Sequence, residues 1–394
     1  MNTQDFFSFD IICLAVTLLS ALYIPARILP RCRKINDKSN SDGESLSESS
    51  QEMPPVSVIV YSAAWCEQLN PLIKSIFAQD YPTEFEVIVV NAEKDSRTED
   101  EISELQLTYR NLYLTFSPGK PKNLSPKKLA LTIGIKAAKH ENLILTHSNV
   151  TLPSDQWLKS MARHFTDGNE LVIGFGRLDP ETEERLGSMQ TYDFALESMR
   201  WLGHALSGRA TRASGFNLGY RKSLFFKNRG FSDSLNLMYG DDDIFVEKIA
   251  SQVPYAVELS QQSIVNVEDN EPKRYYNRVR TARHFTSDFI PRRAFAFTSS
   301  ISISAWLWLI SSVLAVVFCQ TRFYVPIAVG CIFLGLWLPL IFGLKSFLKT
   351  IYRPKTLYAL PLLTLFRPFY TCKLRRKIRK NKQSHYAWGV FKPF

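Results

Sequence analysis

Two long uncharged stretches constrain this chain more than any other feature. Ala294 to Thr321 runs 28 residues without a charge, and Phe323 to Leu344 runs another 22. A helix needs about 20 apolar residues to cross a bilayer core, so each stretch is long enough to span one. Only Gln320, Thr321 and Arg322 bridge the two apolar cores, which predicts a tight helical hairpin at 294–344. A third stretch, Phe6 to Ile24, contains Asp10 and meets Pro25. Asp5 precedes it, while Arg27, Arg31, Arg33 and Lys34 follow. A cleaved signal peptide has the reverse charge order, so residues 1–29 are read as a retained anchor. By the positive-inside rule, the chain after the anchor faces the cytoplasm. So does the chain after the hairpin, where Lys345, Lys349, Arg353 and Lys355 cluster.

The charge balance supports a membrane partner. The chain of 394 residues has a net charge of +11, but from Lys273 onward 21 Lys and Arg face the single acid Asp288, a net of +20. The preceding part therefore carries 27 − 36 = −9. A basic end beside apolar spans suits anionic lipid headgroups, and no nucleic-acid partner is expected. Lys373 to Lys382 holds seven basic residues in ten positions, next to the apolar stretch Leu357 to Tyr370. Residues 345–394 are thus expected to form a basic tail, part of it lying on the membrane surface. Six cysteines show no Cys-x-x-Cys spacing, so neither a zinc site nor a disulfide framework follows.

Between the anchor and the hairpin, residues 30–53 are rich in Ser, Asp and Glu and read as a disordered linker. Folded sequence begins at Pro54-Pro55. Val56 to Tyr61 and Phe85 to Val90 have the β-branched content of buried strands, and Leu143 to Thr146 reads as a third. Helix starts are predicted at Asn70-Pro71 and Ser125-Pro126, and Ser154 precedes a helix carrying Trp157, Leu158, Met161 and Phe165. Successive βα units imply an α/β domain at 54–290 with a parallel sheet, and ligands gather beyond the carboxyl ends of its strands. Neither the Gly-x-Gly-x-x-Gly fingerprint nor a P-loop is present.

The order of motifs resembles a membrane-anchored glycosyltransferase of family 2 with the GT-A fold, of the short form common in Bacteroidetes. The resemblance rests on Val56-Ser-Val-Ile-Val, Glu86-Val-Ile-Val-Val-Asn, Lys127-Lys-Leu-Ala-Leu-Thr, Ile144-Leu-Thr-His-Ser-Asn, Asn217-Leu-Gly-Tyr-Arg and Gly240-Asp-Asp-Asp. It implies a nucleotide-diphosphate sugar as donor and a lipid-linked or glycan acceptor. It also implies an inner-membrane enzyme of a bacterium with its catalytic domain in the cytoplasm, working with envelope-glycan assembly proteins. The family's Asp-x-Asp holds Mg²⁺ or Mn²⁺; its counterpart here is His147-Ser148-Asn149, a poor set of ligands for a hard ion. By the same resemblance Ala63, Glu67, Asn91, Glu93, Lys127, His147 and Asn149 are expected to contact the donor. Arg280, Arg283 and His284 stand where relatives carry a Gln/Arg-x-x-Arg-Trp motif and are expected on the diphosphate or acceptor. Asp241, Asp242 and Asp243 are the expected catalytic acids, with Asp242 as general base; three acids capping a helix is the competing reading. Loss of the Asp-x-Asp carboxylates keeps a second expectation open, a non-catalytic descendant that binds nucleotide or glycan.

Overall fold

The computed structural model describes residues 3–48, 52–117, 124–318, 324–351 and 360–380. The strands are β1 Val56–Ser62, β2 Phe85–Asn91, β3 Leu112–Phe116, β4 Asn142–His147, β5 Val150–Thr151, β6 Leu171–Ile173, β7 Gly176–Leu178, β8 Leu218–Arg221, β9 Tyr255–Val257 and β10 Val265–Val267. The helices are α1 Thr3–Glu48, α2 Leu69–Phe77, α3 Ser96–Gln106, α4 Pro126–Ala137, α5 Trp157–Thr166, α6 Pro180–Glu184, α7 Ser188–Ala205, α8 Lys222–Lys227, α9 Ile244–Ala250, α10 Pro272–Thr286, α11 Ala296–Phe318, α12 Tyr324–Ile351 and α13 Leu360–Lys380. The chain divides into two compact units. One comprises Met1–Asn36, Gly187–Gly203 and Arg292–Arg376; the other comprises Asp37–Leu186, His204–Pro291 and Lys377–Phe394.

The second unit is built on a seven-stranded sheet of order β3-β2-β1-β4-β8-β6-β9. β3, β2, β1 and β4 run parallel, and β8 lies antiparallel between β4 and β6. The β-branched run of β1 is buried on both faces, with Val56, Val58, Ile59 and Val60 fully inaccessible. Each such side chain contributes roughly 1.5–3 kcal/mol relative to exposure, which fixes β1 at the sheet centre. On α4, Ser125 caps the helix through the Lys128 amide at 3.5 Å, as expected. Gly134 lets α4 approach the sheet, since a Cβ there would stand 2.6 Å from Val90. β8 is pinned by Asn217, which accepts from the Trp157 indole and donates to the carbonyls of Phe175 and Ser263. A small sheet of order β5-β10-β7 lies in the same unit.

Three differences from the sequence expectation have physical causes. β3 and α3 stand between the second and third expected strands; Asp95 caps α3 through the Thr98 amide at 2.9 Å. α2 begins at Leu69, ahead of the expected Asn70 cap, and Gln68 makes no side-chain cap bond. The expected linker is largely helix, because α1 passes Pro25 and Pro30 and continues to Glu48. The composition argument weighs only apolar burial, whereas Asp42 is buried as an ion-pair anchor: it meets Lys38 at 2.7 Å and Arg163 at 3.5 Å and accepts the Leu259 amide.

The first unit contains stretches of three helices long and apolar enough to cross a membrane, at Ile11–Ser45, Arg292–Val317 and Tyr324–Phe342. α1 and α11 are joined by polar contacts of the kind that tie helices in lipid, Thr17 to Ser311 at 2.9 Å and Ser304 to the Ser20 carbonyl at 2.7 Å. α13 has inverted polarity. It buries Arg367 against Asp193 and Glu197 of α7 at 2.8 and 2.9 Å, and it exposes Leu362, Phe366 and Phe369. The basic sequence beyond Lys380, and Arg353 and Lys355, lie outside the described residues.

Candidate active site

The carboxyl ends of β1 and β4 form the floor of the site. Tyr61 and His147 are register partners there, and their rings lie 5.3 Å apart. Phe216, just ahead of β8, closes on the other side of His147 at 4.3 Å. Packing between two aromatic rings desolvates the imidazole, and Lys127 and Arg278 add positive charge nearby. Together these hold His147 well below its usual pKa, in the neutral form.

The three aspartates arrive at this floor on the turn before α9. Gly240 makes the turn possible, with φ of +104° and its α-carbon facing Ile244, where a Cβ would stand 2.6 Å from Cδ1. The acids then separate into different roles. Asp243 caps α9 by accepting the Ile244 amide at 2.8 Å. Asp241 pairs with the Lys127 ammonium at 2.5 Å. The Asp242 carboxylate accepts one hydrogen bond among the described residues, from the Gly215 amide at 3.3 Å, while its backbone carbonyl accepts the Ala213 amide at 2.8 Å. Helix capping thus accounts for one of the three acids and leaves two for other work.

Their electrostatics follow this sorting. Burial pushes the Asp242 carboxyl up, the neighbouring Asp241 and Asp243 push it further, and it reaches about 6 despite Arg212 and Lys127. Burial also acts on Asp241, but the Lys127 ammonium outweighs it and holds this carboxyl below its ordinary range. Asp243 is raised by burial, against the opposing influence of Arg212 and the Thr286 hydroxyl. A carboxylate near neutrality beside one held ionised is the arrangement a general base requires. Lys128, next to Lys127, donates to the Ser234 carbonyl and hydroxyl, and burial lowers it to about 8 against the opposing charges of Asp241, Asp243 and Asp242.

The other expected residues divide into those near the floor and those given to scaffolding. Glu93 is exposed but its charge reaches Tyr61. Ala63 and Glu67 are exposed after β1. Asn91 is fully buried and clamps its own loop, donating to the Asp95 carbonyl at 2.8 Å and accepting the Asp95 amide at 3.0 Å. Asn149 donates its amide to the Glu268 carbonyl at 2.7 Å, tying the turn after β4 to the end of β10. Arg280, Arg283 and His284 are half-buried on α10. From the same helix it is Arg278 whose charge reaches Tyr61, His147 and Tyr239, while it pairs with Asp269 at 2.9 Å. Sequence reasoning missed Arg212 and Phe216, which precede β8 without periodicity or motif to mark them.

A second group, Asp42, His164 and Glu258, brings three ligand-type atoms within 4.8 Å of one another. Protein groups already fill it: Arg163 Nη2 and His164 Nε2 both lie 2.7 Å from the same Glu258 oxygen. It is an ion network that holds the end of α1 to α5.

Comparisons with known proteins agree with this architecture. No curated protein matches the sequence. The fold superposes on the mannosyltransferase PcManGT from Pyrobaculum calidifontis, solved in complex with GDP-Man and Mn2+, with a TM-score of 0.55 and 17% identity over 95% of this chain and 99% of that one. TarS 1-349 of S. aureus matches with a TM-score of 0.38 and 16% identity over 86% of this chain and 93% of its own. The mixed α/β domain with its mostly parallel sheet is of the GT-A glycosyltransferase type. The family described as glycosyl transferase family 21 matches residues 14–374, nearly the whole chain, and the protein belongs to that family of glycosyltransferases.

Proposed function

We propose that this protein transfers a sugar, with inversion, from a nucleotide-diphosphate donor to a lipid-linked or glycan acceptor at the cytoplasmic face of a bacterial inner membrane. One observation carries the reading: three acids gather at the carboxyl ends of parallel strands, and Asp242 is the one left with neither cap nor close ion pair. In this scheme the acceptor hydroxyl gives its proton to Asp242 as its oxygen bonds to the anomeric carbon, while the bond from that carbon to the diphosphate oxygen breaks. Lys127 and Arg278, with the arginines further along α10, offset the negative charge that develops on the leaving diphosphate. The solved mannosyltransferase holds GDP-Man, which supports a nucleotide-sugar donor. The basic flanks of the apolar helices support a cytoplasmic site and a membrane-borne acceptor.

The full chain reconstituted in lipid, given a panel of labelled nucleotide sugars and a membrane lipid extract, tests this. Label is expected to move into the organic phase with one donor. If every donor stays intact while nucleotide diphosphate still binds, the protein is instead a non-catalytic nucleotide- or glycan-binding descendant, the reading that the missing Asp-x-Asp carboxylates favour.

A further inference from the structure

The residues that stand where a divalent ion would be held do not suit one. The triplet closing β4 offers an imidazole, a hydroxyl and a carboxamide, and hard cations select carboxylate oxygens. His147 is packed between the rings of Tyr61 and Phe216. The Asn149 amide is engaged with the Glu268 carbonyl, and the backbone of the same residue accepts the Glu268 amide at 3.0 Å, so this turn is held by scaffold bonds. Of the carboxylates nearby, Asp243 caps a helix, Asp241 already has an ammonium 2.5 Å away, and Asp242 accepts the Gly215 amide under the positive charges of Arg212 and Lys127. An ion added at Asp241 would share the carboxylate with Lys127, and the charge of Lys128 reaches the same group, so protein cations repel it where ligands should attract it.

The same geometry supplies positive charge without an ion. Lys127 sits in the first turn of α4, where a cation opposes the helix dipole unless an anion stands close by. In the free protein that anion is Asp241, and the ammonium also lies 5.7 Å over the Tyr61 ring at the end of β1. Its side chain keeps 23% of its accessible surface, against 7% for Asp241, so Lys127 is the more open member of the pair. We infer that this donor pocket carries its own cation: the Lys127 ammonium, moving from Asp241 to the diphosphate, takes the charge-neutralising place of Mg²⁺ or Mn²⁺, and nucleotide-diphosphate binding needs no divalent ion. The inference rests on the donor reading above and specifies how that donor is held.

The test is equilibrium binding of UDP, GDP, CDP and ADP to the full chain in lipid nanodiscs, with excess EDTA or with excess Mn²⁺. The tightest of the four is expected to bind within about threefold equally well in both, a difference smaller than one charged hydrogen bond. In EDTA, Lys127→Met is expected to weaken that binding roughly tenfold or more, the size of a lost charge-assisted contact. Lys127→Arg, which keeps the charge on a larger, planar head that can still reach a diphosphate, is expected to restore most of it, separating charge from folding. Binding that disappears in EDTA and returns with Mn²⁺, or a Lys127→Met protein that folds and binds like the parent, overturns the built-in cation while leaving sugar transfer standing. Failure of all four nucleotides under both conditions overturns the donor reading and this inference with it.

Discussion

Two buried charge clusters occupy the sheet-containing unit, and they are built to opposite ends. Around Glu258, one carboxylate oxygen takes both Arg163 and His164 at 2.7 Å while the other accepts the Ser260 amide at 2.8 Å. Burial pushes this carboxyl up, but the His164 hydrogen bond and the charges of His164 and Arg163 outweigh it and bring it down to about 2. Around Asp242, three carboxylates share one close ion pair, and the middle carboxyl climbs to about 6. Residue types and burial are alike in the two places. Counter-charge within hydrogen-bond reach differs, and it decides whether a buried acid is a permanent anion that fastens a helix or a group ready to exchange a proton.

This contrast breaks most sharply at Asp242. Asp242→Asn keeps the shape and removes the proposed base, so transfer is expected to fall about 10²- to 10⁴-fold while nucleotide-diphosphate binding and thermal unfolding stay near those of the parent. Equal loss of binding would show the residue holding the pocket together instead.

The structural cluster should respond in the other currency, stability. Glu258→Gln leaves Arg163 buried beside a neutral amide and is expected to destabilise by about 3–5 kcal/mol, read by thermal unfolding, with little change per folded molecule in activity. Because the Glu258 carboxyl is lowered by folding, its stabilising share is complete above the ordinary carboxylate range and drains away as pH falls towards about 2. The Gln variant should lack that part of the acid sensitivity.

The pH profile of transfer sharpens the comparison from the catalytic side. A base raised to about 6 acts only when deprotonated, so kcat/KM is expected to rise through pH 6 and to drop about tenfold per unit below it. A profile flat down to pH 4 would remove Asp242 from the role. At the small end stands Arg274, whose pair with Glu271 at 2.8 Å is exposed on both sides. Arg274→Ala is expected to leave the thermal unfolding midpoint unchanged, showing that a short ion pair without burial matches neither cluster.

How much of this was legible beforehand varied by element. β1, β2 and β4 were readable because strands buried on both faces are nearly continuous β-branched runs, and the Ser125 cap because its chemistry is local. The three-residue strands β6, β7, β9 and β10 carry too few positions for any period to show. α3 was hidden by its many acids, with only Thr98, Ile102 and Leu105 buried. α1 was cut short in the reading because Ser- and acid-rich sequence looks solvated until Arg163 is placed beside Asp42. Within the site, the acidic triplet and Lys127 stood out by type, whereas the loop bonds of Asn91 and Asn149 were invisible in the sequence because their partners are set by the fold.

By itself, the sequence determined the apolar helices, the inner parallel strands and the presence of three adjacent acids, since hydrophobic run length, β-branching and residue identity act locally. Tertiary structure alone decided what each acid does. Lys127, the Arg212–Gly215 stretch and Thr286 come from three separate segments, and a carboxyl group's proton affinity is set by the charges and water around it in space, whatever its neighbours in the chain.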